Sequence, residues 1–177
     1  MTTIRPEDRG DADQVRLINQ LAFGRPDEAS LVDTLRETDG ALSLVAVVNA
    51  RIVGHILFTS VDIEGQIAGP AVGLAPMAVL PERQRQGIGS MLVRAGLDAC
   101  RSAGQTAVVV LGHPDFYPRF GFVPALTRRL RCEWPVRPEV FMVMELRPGA
   151  LTGAGGLVRY RPEFSAVPPT RNEPTAS

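Results

Sequence analysis

Residues 76–90, Pro-Met-Ala-Val-Leu-Pro-Glu-Arg-Gln-Arg-Gln-Gly-Ile-Gly-Ser, bring together the residue types and spacings best suited to chemistry in this chain. An apolar run meets a proline, then a loop of glutamine, arginine and glycine, then a helical pattern. The first N–H groups of a helix have no partner within it and carry partial positive charge, so such a start attracts phosphate. Gly87 and Gly89 have no Cβ to hold phosphate oxygens away from the amides, and Arg83 and Arg85 add full charge. Ser90 adds a hydroxyl at the helix start. Met77, Ala78 and Val79 end the strand that feeds this loop and offer backbone N–H groups to the polar atoms of an extended ligand.

Spacing excludes two phosphate loops. The dinucleotide fingerprint needs a small residue three after its second glycine, and that position is Leu92. The ATP-type loop ends in Gly-Lys-Ser/Thr, and no such tripeptide occurs here. What remains, Gln84-Arg85-Gln86-Gly87-Ile88-Gly89, reads Q/R-x-x-G-x-G/A. It resembles the acyl-CoA loop of the GCN5-related N-acetyltransferase (GNAT) family, in which backbone amides hold the CoA pyrophosphate. Phe116-Tyr117-Pro118-Arg119-Phe120-Gly121-Phe122 is similar to that family's Leu-Tyr-x-x-x-Gly-Phe segment. Residues 111–117 with 122–125 resemble the YhbS-like predicted acetyltransferase subgroup. The resemblance spans residues 2–147 and is strongest over 70–125. One position departs: an Asn seven residues before the tyrosine, which contacts the pantetheine arm in many members, is here Val110, so that contact is not carried over.

The resemblance implies an α/β acyl-CoA N-acyltransferase fold, a bent mixed sheet of six or seven mostly antiparallel strands with one parallel pair and about four helices. It implies acetyl-CoA as co-substrate, held by Met77, Ala78, Val79, Gln84, Arg85, Gln86, Gly87, Ile88, Gly89 and Ser90. It further implies a primary-amine acceptor, a small molecule or a peptide, attacking directly in a ternary complex, and no metal. Tyr117 matches the tyrosine that protonates the departing sulfur; as a plain packing residue it would sit among Phe116 and Phe120. Asp115 and His113 lie near enough in sequence to touch the ligands, or Asp115 caps a short helix. An alkylammonium has a pKa of about 10, so a carboxylate, imidazole or water relay must take its proton. Asp27, Glu28, His55 and Glu64 are the candidates, and Glu28 begins a helix where the family places acceptor contacts. A solvated first-turn glutamate favoured by the helix dipole is the simpler account of Glu28. Two other classes compete: a non-catalytic acyl-CoA sensor, which would lack a working Tyr117, and a nucleotide-dependent Rossmann enzyme, which Leu92 disfavours.

The elements around the loop follow from periodicity. A short strand over 3–5 precedes a helix over 11–23, with Val15, Ile18, Leu21 and Ala22 on one face. Gly24 to Asp27 breaks it, and a second helix runs from Glu28 to Arg36. Ala41–Val48 and Arg51–Val61 read as strands joined at Asn49-Ala50. Ile67–Leu80 reads as another, in which Gly73 marks a bulge or the close approach of the thioester arm. Residues 87–103 form the clearest helix, with Arg94 and Asp98 spaced for an ion pair and Gly104 ending it. Thr106–Leu111 is a strand buried on both faces, which makes a βαβ crossover. A short helix near 115–119 and a last strand over 140–146 complete the domain, residues 1–148. Residues 149–177 form an extension: 157–164 docks back, and 165–177 reads as disordered.

At 177 residues, 45% apolar and 21% charged, the chain reads as one soluble globular domain, monomeric or homodimeric. Its formal net charge of +0 offers no field to draw nucleic acid or an anionic membrane. No apolar run spans a bilayer and the start has no signal-like segment, so the expectation is cytoplasmic. Cys100 and Cys132 are too few for a disulfide framework, and His55 and His113 lack partners at metal-ligand spacing.

Overall fold

A computed structural model describes residues 1–167. Strand β1 (Thr2–Pro6) is followed by helices α1 (Ala12–Phe23) and α2 (Asp27–Leu35). Strands β2 (Leu42–Val48), β3 (Arg51–Gln66) and β4 (Ala71–Val79) lead to helix α3 (Ile88–Ser102) and strand β5 (Ala107–Leu111). Then come β6 (Val123–Pro124), β7 (Leu130–Cys132), β8 (Phe141–Glu145) and β9 (Gly153–Arg159). The main sheet runs β1-β2-β3-β4-β5-β8-β6, with β7 and β9 attached beside β3.

The β2–β3 connection is the two-residue turn expected, Asn49 and Ala50 at φ 50° and 62°, a geometry that follows the right-handed twist of the strands. β4 and β5 pair in parallel from Ala71↔Ala107 to Leu74↔Val110, with α3 as the crossover between them. A second, three-residue parallel pairing joins β7 to β9. Three α-helices form among the described residues. The chain near 115–119 makes a 3-10 turn, Tyr117–Phe120, rather than an α-helix, with Pro118 inside it and Gly121 ending it at φ 102°.

The two faces of the sheet carry different loads. Leu92 of α3 lies against Gly54 and the Phe58 ring lies against Gly96 of α3, so even-numbered residues here face α3. His55 points the other way and meets Asn19 of α1 at 3.2 Å. The buried set, including Ile18, Leu35, Phe58, Leu74, Met77, Leu92, Tyr117 and Met142, forms one continuous core through both layers. Fully burying a side chain of this size stabilises the fold by ~1.5–3 kcal/mol.

The chain after residue 148 contributes to the sheet itself. β9 pairs antiparallel with the far end of β3, from Asp62↔Arg159 to Gln66↔Gly153, so the packed segment starts before Leu157. A 3-10 turn, Pro162–Ala166, then buries Phe164. Ser165 and Ala166 belong to that turn; residues 168–177, where most of the proposed disordered tail falls, lie outside the described residues.

Candidate active site

The strand that feeds the phosphate loop has one open edge. After Leu74↔Val110 the β4–β5 pairing stops, whereas on the β3 side Met77, Ala78 and Val79 remain opposite Ile56, His55 and Gly54. Ala75 and Pro76 together face Leu57, an extra residue that bends β4 where it leaves β5; the Ala75–Pro76 peptide is cis. The bulge is therefore at 75–76 and not at Gly73. Gly73 is small for another reason: a Cβ there would lie 2.7 Å from Cε1 of Tyr160. The close neighbour that the small residue admits is a side chain from the C-terminal segment.

Beyond β4, the 3-10 turn Pro81–Arg83 leads into a loop held by its own glutamines. Gln84 donates to the Val79 carbonyl at 3.1 Å and Gln86 to the Glu82 carbonyl at 3.1 Å. These side chains shape the loop, which leaves their backbone amides as the groups for a ligand. Arg85 at φ 58° and Gly87 at φ 83° turn the chain into α3. No side chain caps that helix, and its first internal bond runs from Met91 N–H to the Gly87 carbonyl, so the N–H groups of Ile88, Gly89 and Ser90 point forward. A Cβ at Gly87 would meet nothing within 4 Å, so the space over the helix start is open. Ile88 is buried and anchors the turn in the core. Arg83 and Arg85 form no ion pair among the described residues. Open space, forward-pointing amides, a helix dipole and two uncommitted guanidiniums fit a pyrophosphate.

Tyr117 lies six residues beyond the end of β5. It is 1% exposed, edge-on to Phe116 at 5.0 Å and to Phe122 at 5.6 Å between ring centres. Its ring lies so close to Gly112 that a Cβ there would be 2.2 Å from Cε2. Gly112 in turn donates to the Val140 carbonyl at 2.9 Å, which ties the tyrosine's seat to the sheet. Asp115 is exposed and gives no side-chain cap to this turn. Phe116 also reaches Gly89, whose Cβ would lie 3.7 Å from its ring, so the tyrosine segment and the phosphate loop share a wall.

The proton-acceptor candidates separate cleanly. Glu28 is not a solvated first-turn residue: it is 7% exposed and both its oxygens accept from Arg25, the shortest contact being 2.6 Å. Asp27 starts the same helix. Glu64 lies on the part of β3 beyond β4, accepting from Leu157 N–H at 2.8 Å and pairing with Arg159 at 2.8 Å. Those bonds, the backbone one first, hold its carboxyl below the usual range and make it a strut for β9. His55 is fully buried. Asn19 donates to its Nδ1, so the proton belongs on Nε2, which faces Ser43 Oγ at 2.9 Å and Glu7 at 3.6 Å. Burial pushes its pKa down, against the pull of Glu7. Arg36 neutralises Glu7 from the far side at 2.7 Å. This network ties β1, β2, β3 and the two helices together.

Two buried hydroxyls beside β4 have no signal in the sequence. The Tyr160 and Thr59 hydroxyls are buried without a hydrogen-bond partner among the described residues, and Thr59 is the cross-strand neighbour of the same Gly73 that Tyr160 covers. Nothing local distinguishes them; only β9 folding back places Tyr160 there. Cys100 is fully buried with its thiol pushed up to about 12 by burial, an inert packing residue as its place in the helix suggests. Among the described residues no group of three or more His, Cys, Asp or Glu is arranged to hold a metal ion, and no helix is long and apolar enough to cross a membrane.

A mixed sheet that splays between β4 and β5, with a phosphate loop at the end of one strand and a tyrosine at the end of the other, defines a CoA-dependent acyltransferase architecture. Residues 12–122 match the acetyltransferase (GNAT) family. The chain belongs to that family. It is 39% identical to the N-acetyltransferase YhbS of Escherichia coli K12 over 92% of this chain and 98% of that one. It is 43% identical to the N-acetyltransferase YjhQ of the same strain, over 85% and 89% respectively. The crystal structure of E. coli YhbS in complex with CoA superposes with a TM-score of 0.86, at 36% identity, covering 99% of this chain and 96% of that one. A GNAT family acetyltransferase of Brucella melitensis in complex with acetyl-CoA gives 0.73 at 32% identity, covering 93% and 98%.

Proposed function

We propose that this protein moves an acetyl group from acetyl-CoA to a primary amine by direct attack within a ternary complex. The observation that carries the reading is the open edge of β4 leading, through the turn over 81–87, to an uncapped helix start with clear space over Gly87. The amides of Gln84, Arg85, Gln86, Gly87, Ile88, Gly89 and Ser90 bind the pyrophosphate, and the backbone of Met77, Ala78 and Val79 orients the pantetheine arm. The two solved relatives are complexes with CoA and with acetyl-CoA, which supports the choice of cofactor.

Bound acetyl-CoA supplies an activated acyl group, since a thiolate is a good leaving group. The chain's own residues then hold and move protons. Tyr117 passes its phenolic proton to sulfur; phenols in general titrate at about 10 and thiols at about 8.5. Burial of Tyr117 beside Gly112 holds that donor in one place. Glu28 faces the acceptor: paired with Arg25 it still has free lone pairs, and these accept hydrogen bonds from the incoming ammonium and orient it while its proton leaves through water. The free amine then attacks the thioester carbon, and the C–S bond breaks as C–N forms. The extension after residue 148 closes the sheet beside this side, and we treat it as part of the working enzyme. A cytoplasmic location belongs to the same proposal; two free cysteines, one buried and one half-buried, suit a reducing compartment.

Thermal shift with acetyl-CoA, CoA, NADH and ATP side by side tests the cofactor. A ligand at 100 times its dissociation constant adds about 2.7 kcal/mol of stability. Stabilisation by the two thioester-site ligands alone is expected; stabilisation by NADH or ATP instead would overturn the reading. A screen of amines for free-thiol release then separates an acetyltransferase from an acyl-CoA sensor, which binds and releases none.

A further inference from the structure

The spacing of Arg94 and Asp98 on α3 predicts an ion pair, but Asp98 takes Arg101 instead, at 2.9 Å. Arg94 is left with no carboxylate among the described residues and lies over the Phe120 ring, 5.4 Å from its centre. Arg119 does the same on the facing 3-10 turn: it sits 4.8 Å over Phe116, and among the described residues it donates to the Asp115 carbonyl at 3.2 Å. These two guanidiniums, with Leu97, Asp98, Arg101 and Phe120, line a hollow of about 300 Å³.

The hollow begins one helical turn beyond the phosphate loop. Arg94 follows Ser90 by one turn on the same face of α3, a separation of about 6 Å along the axis. Phe116, which carries Arg119, is also the ring that meets Gly89. A phosphate seated on the helix start thus has two cations one turn further along, held over aromatic faces and with less freedom to lose on binding than free side chains.

Resting on the reading of residues 84–90 as a CoA site, we propose that Arg94 and Arg119 bind the 3′-phosphate of the CoA ribose. Among adenosine diphosphate ligands this dianion is what marks CoA, and guanidinium is the side chain that matches its geometry. Arg101 neutralises Asp98, the one carboxylate at the rim, which would otherwise repel it. The hollow then acts as a selectivity device that works at a distance from the acetyl group.

Titration calorimetry with CoA and 3′-dephospho-CoA, on the wild type and on the Arg94→Gln/Arg119→Gln double variant, tests this. The wild type is expected to bind CoA at least tenfold more tightly than dephospho-CoA, as charge-assisted hydrogen bonds of this kind give. The double variant should lose that preference and keep the wild-type affinity for dephospho-CoA, which also confirms that it is folded. Equal binding of the two ligands by the wild type overturns the 3′-phosphate site while leaving the loop assignment standing. A preference that survives in the double variant also overturns it. Failure of the wild type to bind either ligand overturns both.

Discussion

Gly112→Ala is the perturbation that probes Tyr117 most directly without touching it. Alanine is conformationally allowed at this position, because Gly112 is not among the residues in the left-handed region. The new Cβ would stand 2.2 Å from Tyr117 Cε2, 2.8 Å from Cδ2 and 3.2 Å from Cζ. Ordinary carbon contacts are ~3.5–4.0 Å, so the ring must retreat by about 1.5 Å. It cannot retreat freely, since Phe116 and Phe122 bracket it edge-on. Overpacking of this kind costs ~1–3 kcal/mol, which for a chain of this size lowers the melting temperature by roughly 2–4 °C per kcal/mol. A catalytic group displaced by about 1 Å loses on the order of 10²-fold in rate. Turnover, followed as free thiol with the best amine from the screen, should fall by about that factor. Tyr117→Phe should fall similarly, since general acid catalysis contributes ~10²–10⁴-fold, but with its ring and its acetyl-CoA affinity kept. If the alanine acts through the phenol, the double variant should be no slower than the worse single one. Gly10→Ala, where a Cβ meets nothing within 4 Å, is the silent control. Wild-type turnover in Gly112→Ala would show that Tyr117 only packs and that the sulfur takes its proton from water.

Gly87→Val should abolish measurable acetyl-CoA binding in a folded protein, because φ 83° is strained for a branched residue and its methyls would enter the open space over α3; unchanged affinity by calorimetry would refute the loop assignment. Tyr160→Phe removes a buried hydroxyl that has no partner among the described residues, so stability should hold or rise by about 1 kcal/mol in urea unfolding read from Trp134, 4.8 Å away; a loss beyond about 1 kcal/mol would mean that the hydroxyl is satisfied. Acidification should weaken the fold through His55. Burial holds its folded pKa below 6.5, so the unfolded chain takes the proton first; the contribution is whole above about pH 6.5 and is lost as pH falls toward the folded pKa, at up to about 1.4 kcal/mol per pH unit. Asn19, Ser43, Glu7 and Arg36 are the groups facing it, and His55→Gln should flatten the urea midpoint between pH 7.5 and 5.5; an already flat wild-type curve would sink this account.

The amino-acid sequence alone carried what short-range rules decide. The Asn49-Ala50 turn, the helix over 88–102 with its glycine entry, and the buried run at 107–111 depend on periodicity and turn chemistry within a few residues. So does the turn into that helix, because glycine spacing and the backbone angles at Arg85 and Gly87 are local properties. What folding alone decided is which side chains meet. Gly73 reads as a bulge until β9 returns along β3 and lays Tyr160 on it. Glu28 reads as a solvated helix-start residue until Arg25 closes on it, and Arg94 reads as the partner of Asp98 until Arg101 takes that carboxylate. The glycine-rich stretch at 153–156 looks like linker by composition, yet it is a strand, since the neighbouring strand supplies the hydrogen bonds that composition cannot announce. Backbone conformation is set largely by neighbours in the chain, whereas a partner choice compares alternatives brought from far along it, and only the packed structure ranks them.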